Sequence, residues 1–181
     1  KTTTAKGHVA LKTNPPQTAA KSLPKTLTLK TNCGDIVIAL DPKAPFTVTQ
    51  ITALAKAGYY NKTLCHREAV KGFSMLQCGD PTALGNGGPG FTFTDENLPT
   101  SGPIYYPAGT VAMANTGQPA SNGSQFFLVF ADSPNLGPSY SVWGKITKGL
   151  DVLNYIASKG VKDPSGIGAP KIKVAIDSTI V

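Results

Sequence analysis

Between residues 60 and 146 the apolar stretches stay short, and each is cut off by a loop rich in Gly, Pro, Asn and Ser. Stretches of that length, bounded by turn residues, read as strands rather than helices. The pattern predicts strands at 63–67, 75–79, 109–114, 125–130 and 141–146. The 19 Gly and 15 Pro among 181 residues supply the turns between them. The loop 81–108 is long for a segment without structure of its own, and such loops often carry function.

The flanks of this region carry other periods. Leu27 and Leu29 alternate with Thr, "NCGD" makes a turn, and "IVIAL" follows at 36–40, which predicts a β-hairpin. In "DPKAPFTVTQITALAKAGYY", Pro45 suits a first helical turn and Val48, Ile51, Leu54 and Ala55 share one helical face, with Gly58 as a stop. "KGLDVLNYIASKG" places Val152, Leu153, Ile156 and Ala157 on one face of a second helix ending at Gly160. "KIKVAI" closes the chain as another alternating strand. The order shows no βαβ regularity and no internal repeat. A mostly antiparallel sheet curled into a barrel, with a helix over each open end, hides its edges and fits that order.

Residues 1–24, rich in Thr, Lys, Ala and Pro without sustained periodicity, are expected to be a flexible arm or linker, with His8 a solvated bystander. Residues 25–181 are the domain. The net charge is +7, but the lysines are spread out and no basic block is interleaved with aromatics, so nucleic-acid binding is not expected. No apolar run reaches the roughly 18 residues of a membrane-spanning helix, and no signal-peptide core is present. A chain starting at Lys1 is expected to be a mature product trimmed of a leader or anchor.

The run "LCHREAVKGFSMLQCGD" at 64–80 concentrates the reactive side chains: the only arginine, Arg67, with His66, Cys65 and Cys78. A Cys65–His66 nucleophile pair is disfavoured, because neighbouring side chains on a strand point to opposite faces. Zinc is disfavoured too, since the cysteines and His66 lack the usual ligand spacing and only His8 and Cys33 remain to complete a shell. If 63–67 and 75–79 pair about a turn near residue 71, Cys65 and Cys78 nearly face one another, and a disulfide is possible in an oxidising compartment. Asp95 and Glu96 offer no evident acid–base pair, Asp80 reads as a turn residue, and "GNGGPG" at 85–90 matches neither a phosphate loop nor a dinucleotide fingerprint.

Taken in order, "CHR", "LQCGDPTALGNGGPGF", "GTVAMANTG", "SNGSQFFLVF" and "VWGKITKGLDVL" resemble the cyclophilin-type peptidyl-prolyl cis-trans isomerases over residues 25–181. The resemblance implies a closed eight-stranded antiparallel β-barrel capped by two helices. It implies Arg67 as the catalytic arginine, acting with Gln77 and Phe127. Met75, Ala114, Asn115, Gln125, Leu136 and Tyr140 would bind substrate, with Phe73 as a further wall. Prolyl isomerisation in peptides and folding proteins, without cofactor or metal and as a monomer, is the function implied. The alternative is a proline-peptide binding module or chaperone whose turnover is incidental.

The sequence departs from the family's commonest form in places. The interval between Arg67 and Gln77 is two residues longer, which leaves open which of Phe73, Ser74 and Met75 faces the substrate. Asn135 stands where human-type members have a tryptophan that contacts cyclosporin, so weak cyclosporin binding is expected. The extended hairpin, the two cysteines and "QCGDPTALGNGGPG" look most like actinobacterial members, some of them membrane-anchored. An extracytoplasmic location is expected on that basis, with a cytoplasmic enzyme holding reduced thiols as the alternative.

Overall fold

The computed structural model describes residues 14–181. The chain forms β1 (Thr26–Thr31), β2 (Gly34–Leu40), α1 (Pro45–Lys56), β3 (Thr63–Leu64), β4 (Arg67–Ala69) and β5 (Met75–Cys78). After the long loop come β6 (Thr110–Met113), β7 (Phe126–Val129), β8 (Val142–Lys148), α2 (Leu150–Lys159), β9 (Ile167–Gly168) and β10 (Ala175–Ile180). All ten strands belong to one curled antiparallel sheet in the order β3-β10-β1-β2-β8-β6-β7-β5-β4-β9.

This corrects the closed eight-stranded barrel. The expected strand 63–67 is broken: β3 pairs with β10, whereas β4 pairs with β5 and β9. Only Cys65 and His66 separate the two pieces, so the backbone itself links the flanks of the sheet where no ladder does. Two-residue β9 adds a further edge outside β4. The last strand is also displaced from the expected 171–176. Lys171 and Pro170 are tied to Gly160 and Val161, so the ladder with β1 runs through Ile176 and the polar residues Ser178 and Thr179.

Period-two alternation divides β4–β7 between two cores. Leu76, Cys78, Val111, Met113, Phe126 and Leu128 face the main core with Trp143, Ile36, Ile38 and both helices. Ala69, Met75, Ala112, Phe127 and Val129 face a smaller cluster around Tyr106 on the other side. Both helices form where their apolar spacing places them, and Val48, Ile51, Leu54, Leu153 and Ile156 are buried.

Helix α1 has no side-chain cap of its own at Ala44. Glu96, from the long loop, supplies it: its carboxylate accepts from the amides of Phe46 (3.1 Å) and Thr47 (2.7 Å) and from the Thr47 hydroxyl (2.9 Å). An acceptor there satisfies exposed amide donors and complements the helix dipole. Of the expected arm 1–24, residues 1–13, with His8, lie outside the described residues. Within 14–24, the Ala20 amide donates to Thr49 Oγ1 (2.9 Å), Pro16 accepts from Gln50 Nε2 (2.6 Å), and Leu23 packs on the core.

Candidate active site

The register builds the site. Arg67 pairs with Gln77 across β4 and β5, Gln77 with Phe127 across β5 and β7, and Phe127 with Ala112 across β7 and β6. Residues directly opposite in antiparallel strands share a face, so Arg67, Gln77 and Phe127 form one row on the side of the smaller cluster.

A chain of hydrogen bonds fixes the polar half of that row. Arg67 Nη1 donates to Gln77 Oε1 (3.1 Å), and Gln77 Nε2 donates to Gln125 Oε1 (2.8 Å). Gln125 Nε2 donates in turn to the carbonyls of Gly85 (3.0 Å) and Gly87 (2.9 Å). The guanidinium also lies 5.7 Å from the centre of the Phe73 ring, within cation–π range. Partial burial draws the Arg67 pKa down from its ordinary value, yet no carboxylate is paired with the guanidinium among the described residues. The positive head is held in place and left available.

The apolar half is a packed cluster beside it. Phe127 packs edge-on against Tyr140 (5.3 Å between centroids) and Tyr106 (6.0 Å), with Met75, Leu136, Ala114 and Phe73 in the same cluster. The Tyr106 hydroxyl donates to the Tyr140 carbonyl and accepts from its amide (3.2 and 2.9 Å), which fixes that wall. Sequence reasoning missed Tyr106, because nothing local marks it; only the fold brings it under Tyr140. Phe73 and Met75 both join the cluster, whereas the Ser74 backbone is committed to Ser133 Oγ (3.0 Å) and the Phe130 amide (3.1 Å). Asn115 is held by its side chain, which donates to the Ser139 carbonyl and accepts from the Gly117 amide.

The turn after β4 is braced from outside. Val70 donates to the Gly166 carbonyl (2.9 Å), and Asn135 Nδ2 donates to the Gly72 carbonyl (3.2 Å). Cys65 and Cys78 are joined by a disulfide (S–S 2.00 Å) that closes the loop bearing Arg67 and Gln77, while Cys33 is a free, partly buried thiol.

Asp80 does more than the turn role read from sequence. It is fully buried, which by itself would raise its pKa, but hydrogen bonds from Thr82, Gly87 and Gly85 outweigh burial and hold the carboxyl below its usual value. A side chain at Gly87 would collide with this carboxylate, so the loop needs glycine there. His66 lies beneath Gly85, and burial lowers its pKa. Glu68 is fully buried and neither oxygen has a hydrogen-bond partner among the described residues, and burial pushes its pKa up to about 7. Among the described residues no group of three His, Cys, Asp or Glu side chains is placed to hold a metal ion.

Two cavities meet at this row. One of about 490 Å³ lies between the glycine loop 85–90 and Asn115, Ser121 and Gln125. The other, about 440 Å³, lies beyond Arg67, between Leu84 and Ala169.

A curled antiparallel sheet with two helices is the arrangement of a cyclophilin. The chain belongs to the family described as "Cyclophilin type peptidyl-prolyl cis-trans isomerase/CLD", whose model matches residues 26–181. It is 42% identical over 162 residues to the "Probable peptidyl-prolyl cis-trans isomerase B" of Mycobacterium leprae, covering 83% of this chain and 54% of that protein. The chain thus spans about half the length of the mycobacterial relatives it matches. It is 39% identical over 142 residues to the human "Peptidyl-prolyl cis-trans isomerase-like 3", covering 76% and 85% of the two chains. A solved cyclophilin-type isomerase of Cryptosporidium parvum, crystallised in the presence of the dipeptide Ala-Pro, superposes with a TM-score of 0.74 at 31% identity, covering 86% and 98% of the chains.

Proposed function

We propose that the chain is a peptidyl-prolyl cis-trans isomerase, with Arg67 as its catalytic residue. It accelerates rotation about X-Pro bonds in peptides and folding proteins. One observation carries the reading: the guanidinium is fixed by Gln77 beside the apolar cluster of Phe73, Met75, Phe127, Leu136 and Tyr140, whose outer face is the slot for the prolyl ring in this reading. The Ala-Pro dipeptide named with the Cryptosporidium parvum relative supports a prolyl ligand in that slot.

Rotation about an amide faces a barrier of roughly 18–20 kcal/mol, because the nitrogen lone pair is delocalised into the carbonyl. Unaided X-Pro bonds take on the order of 10–100 s to isomerise at 25 °C. In the twisted transition state the lone pair returns to the prolyl nitrogen, so a donor aimed there binds the transition state better than the planar ground state. Arginine suits this role, being always charged and presenting its donors in a rigid fork. The slot immobilises the prolyl ring while the Asn115 backbone holds the flanking peptide and Gln77, tied to Gln125, orients Arg67, so one end turns against a fixed other. No proton transfer or covalent step is required.

The protein acts as a monomer outside the cytoplasm, a setting supported by the Cys65–Cys78 bridge. A protease-coupled assay on a short X-Pro peptide tests the activity. The chain should speed isomerisation in proportion to its concentration; a rate equal to that of buffer overturns the reading.

A further inference from the structure

Leu84 is the most exposed large apolar side chain among the described residues, at 79% of its surface. Single exposed leucines are ordinary in soluble proteins. This one differs in being held rigidly at the mouth of a cavity. Asp80 Oδ1 accepts from the Thr82 amide and hydroxyl (2.7 Å each), and Oδ2 accepts from the amides of Gly85 (2.6 Å) and Gly87 (3.0 Å). The Leu84 amide is itself bound to Thr82 Oγ1 (3.2 Å), and Gln125 clamps the loop from the other side. Ala83, just before the leucine, takes a left-handed backbone conformation at φ 59°, which is uncommon for a residue with a side chain.

The loop thus turns a leucine into solvent while the amides of Thr82, Ala83, Leu84, Gly85 and Gly87 are all engaged. Opposite stand Gly168, the last residue of the β9 edge that pairs with β4, and Ala169. The floor between these walls includes Arg67 and Gln77, and Asn115 and Gly85 line this cavity as well as the other. Among the described residues Arg67 is the only permanently charged side chain in the lining, and none of the lining residues is a carboxylate.

We propose that the peptide groove continues past Arg67 into this second cavity, where Leu84 selects substrates carrying a bulky apolar residue beside the X-Pro pair. The occupant is the substrate's own chain, because a peptide centred on Arg67 enters a space that shares Arg67, Gln77 and Asn115 with the site. The inference rests on the isomerase reading only for the substrate being a peptide.

The test extends a minimal X-Pro peptide by Leu-Leu or Gly-Gly, at the amino end in one pair and at the carboxyl end in another. The kcat/KM ratio of leucine to glycine peptides is then measured for the wild type and for Leu84→Ser. In the wild type one pair should favour leucine about fivefold, as expected for partly covering one leucine-sized surface, and the ratio should fall to near one in Leu84→Ser. Ratios near one for both pairs in the wild type overturn the proposal, as does a leucine preference that survives in Leu84→Ser. Titration calorimetry with the same peptides reads the same ratio as affinity. Absent turnover of every peptide would therefore strike the isomerase reading, while the affinity ratio still decides the groove.

Discussion

Arg67 and Gln77 face each other across the β4–β5 ladder, and the guanidinium donates to the amide oxygen over 3.1 Å. Because Gln77 is bound in turn to Gln125, and Gln125 to the glycine loop, the arginine is oriented by elements far apart in sequence. Gln77→Ala removes this support while leaving the charge. Its kcat/KM is expected to fall by up to about a hundredfold, the order of loss from a misplaced catalytic group. The Arg67→Ala/Gln77→Ala double variant should be little worse than Arg67→Ala alone, since coupled residues lose their contribution only once. Fully additive losses would show that Gln77 acts independently of Arg67.

The Cys65–Cys78 bridge closes a short loop across the flank of the sheet that no ladder completes. Its reduction should cost about 3 kcal/mol of unfolding free energy, the chain-entropy value for a loop of roughly 15 residues. Urea denaturation with and without reductant checks this. Thiol counting in denaturant without reductant should find one reactive cysteine, Cys33; three would contradict the bridge.

Glu68 makes stability depend on pH. Its folded pKa of about 7 lies above the ordinary 4.5, so between those values the folded chain holds a proton that the unfolded chain has released. Its contribution is fully favourable below about pH 4.5 and is lost as pH rises toward 7 and beyond. The loss is on the order of 3 kcal/mol at most, from a shift of about 2.5 pKa units. Glu68→Gln, which does not ionise, should flatten the decline in Tm between pH 5 and 8. An identical decline in both proteins would place its origin elsewhere.

The motif resemblance aligns Asn135 with the tryptophan position of human-type cyclophilins, and its amide is engaged with the Gly72 carbonyl. Cyclosporin should therefore inhibit only at roughly micromolar concentration or above, near −8 kcal/mol or weaker, and Asn135→Trp should tighten it. Inhibition of the unaltered chain at low nanomolar drug would contradict this.

Much of the architecture is legible in the residues themselves. Pro45, the apolar face of α1 and the stop after it mark that helix, and the Leu27/Leu29 alternation before "NCGD" marks the first hairpin. The break at Cys65–His66 is not legible, because strand termination there depends on pairing with β10 on one side and β5 on the other. The end of β10 is hidden for a similar reason: Ser178 and Thr179 carry no apolar signal, and their strand form comes from β1 beside them. In the site, motif resemblance points to Arg67, Gln77 and Phe127, and the register places them in one row on one face of the sheet. Tyr106, the Glu96 cap and the Asp80 anchor come from loop residues whose partners lie far off in sequence, so no local pattern reveals them.

The isomerisation rate of Arg67→Ala, measured beside the wild type and with Tm recorded for both, tests the role of Arg67 most directly. A loss of about 10²–10³ in kcat/KM, the usual consequence of removing one preorganised donor, is expected with the fold intact. An unchanged kcat/KM in a folded Arg67→Ala protein would contradict transition-state stabilisation by Arg67.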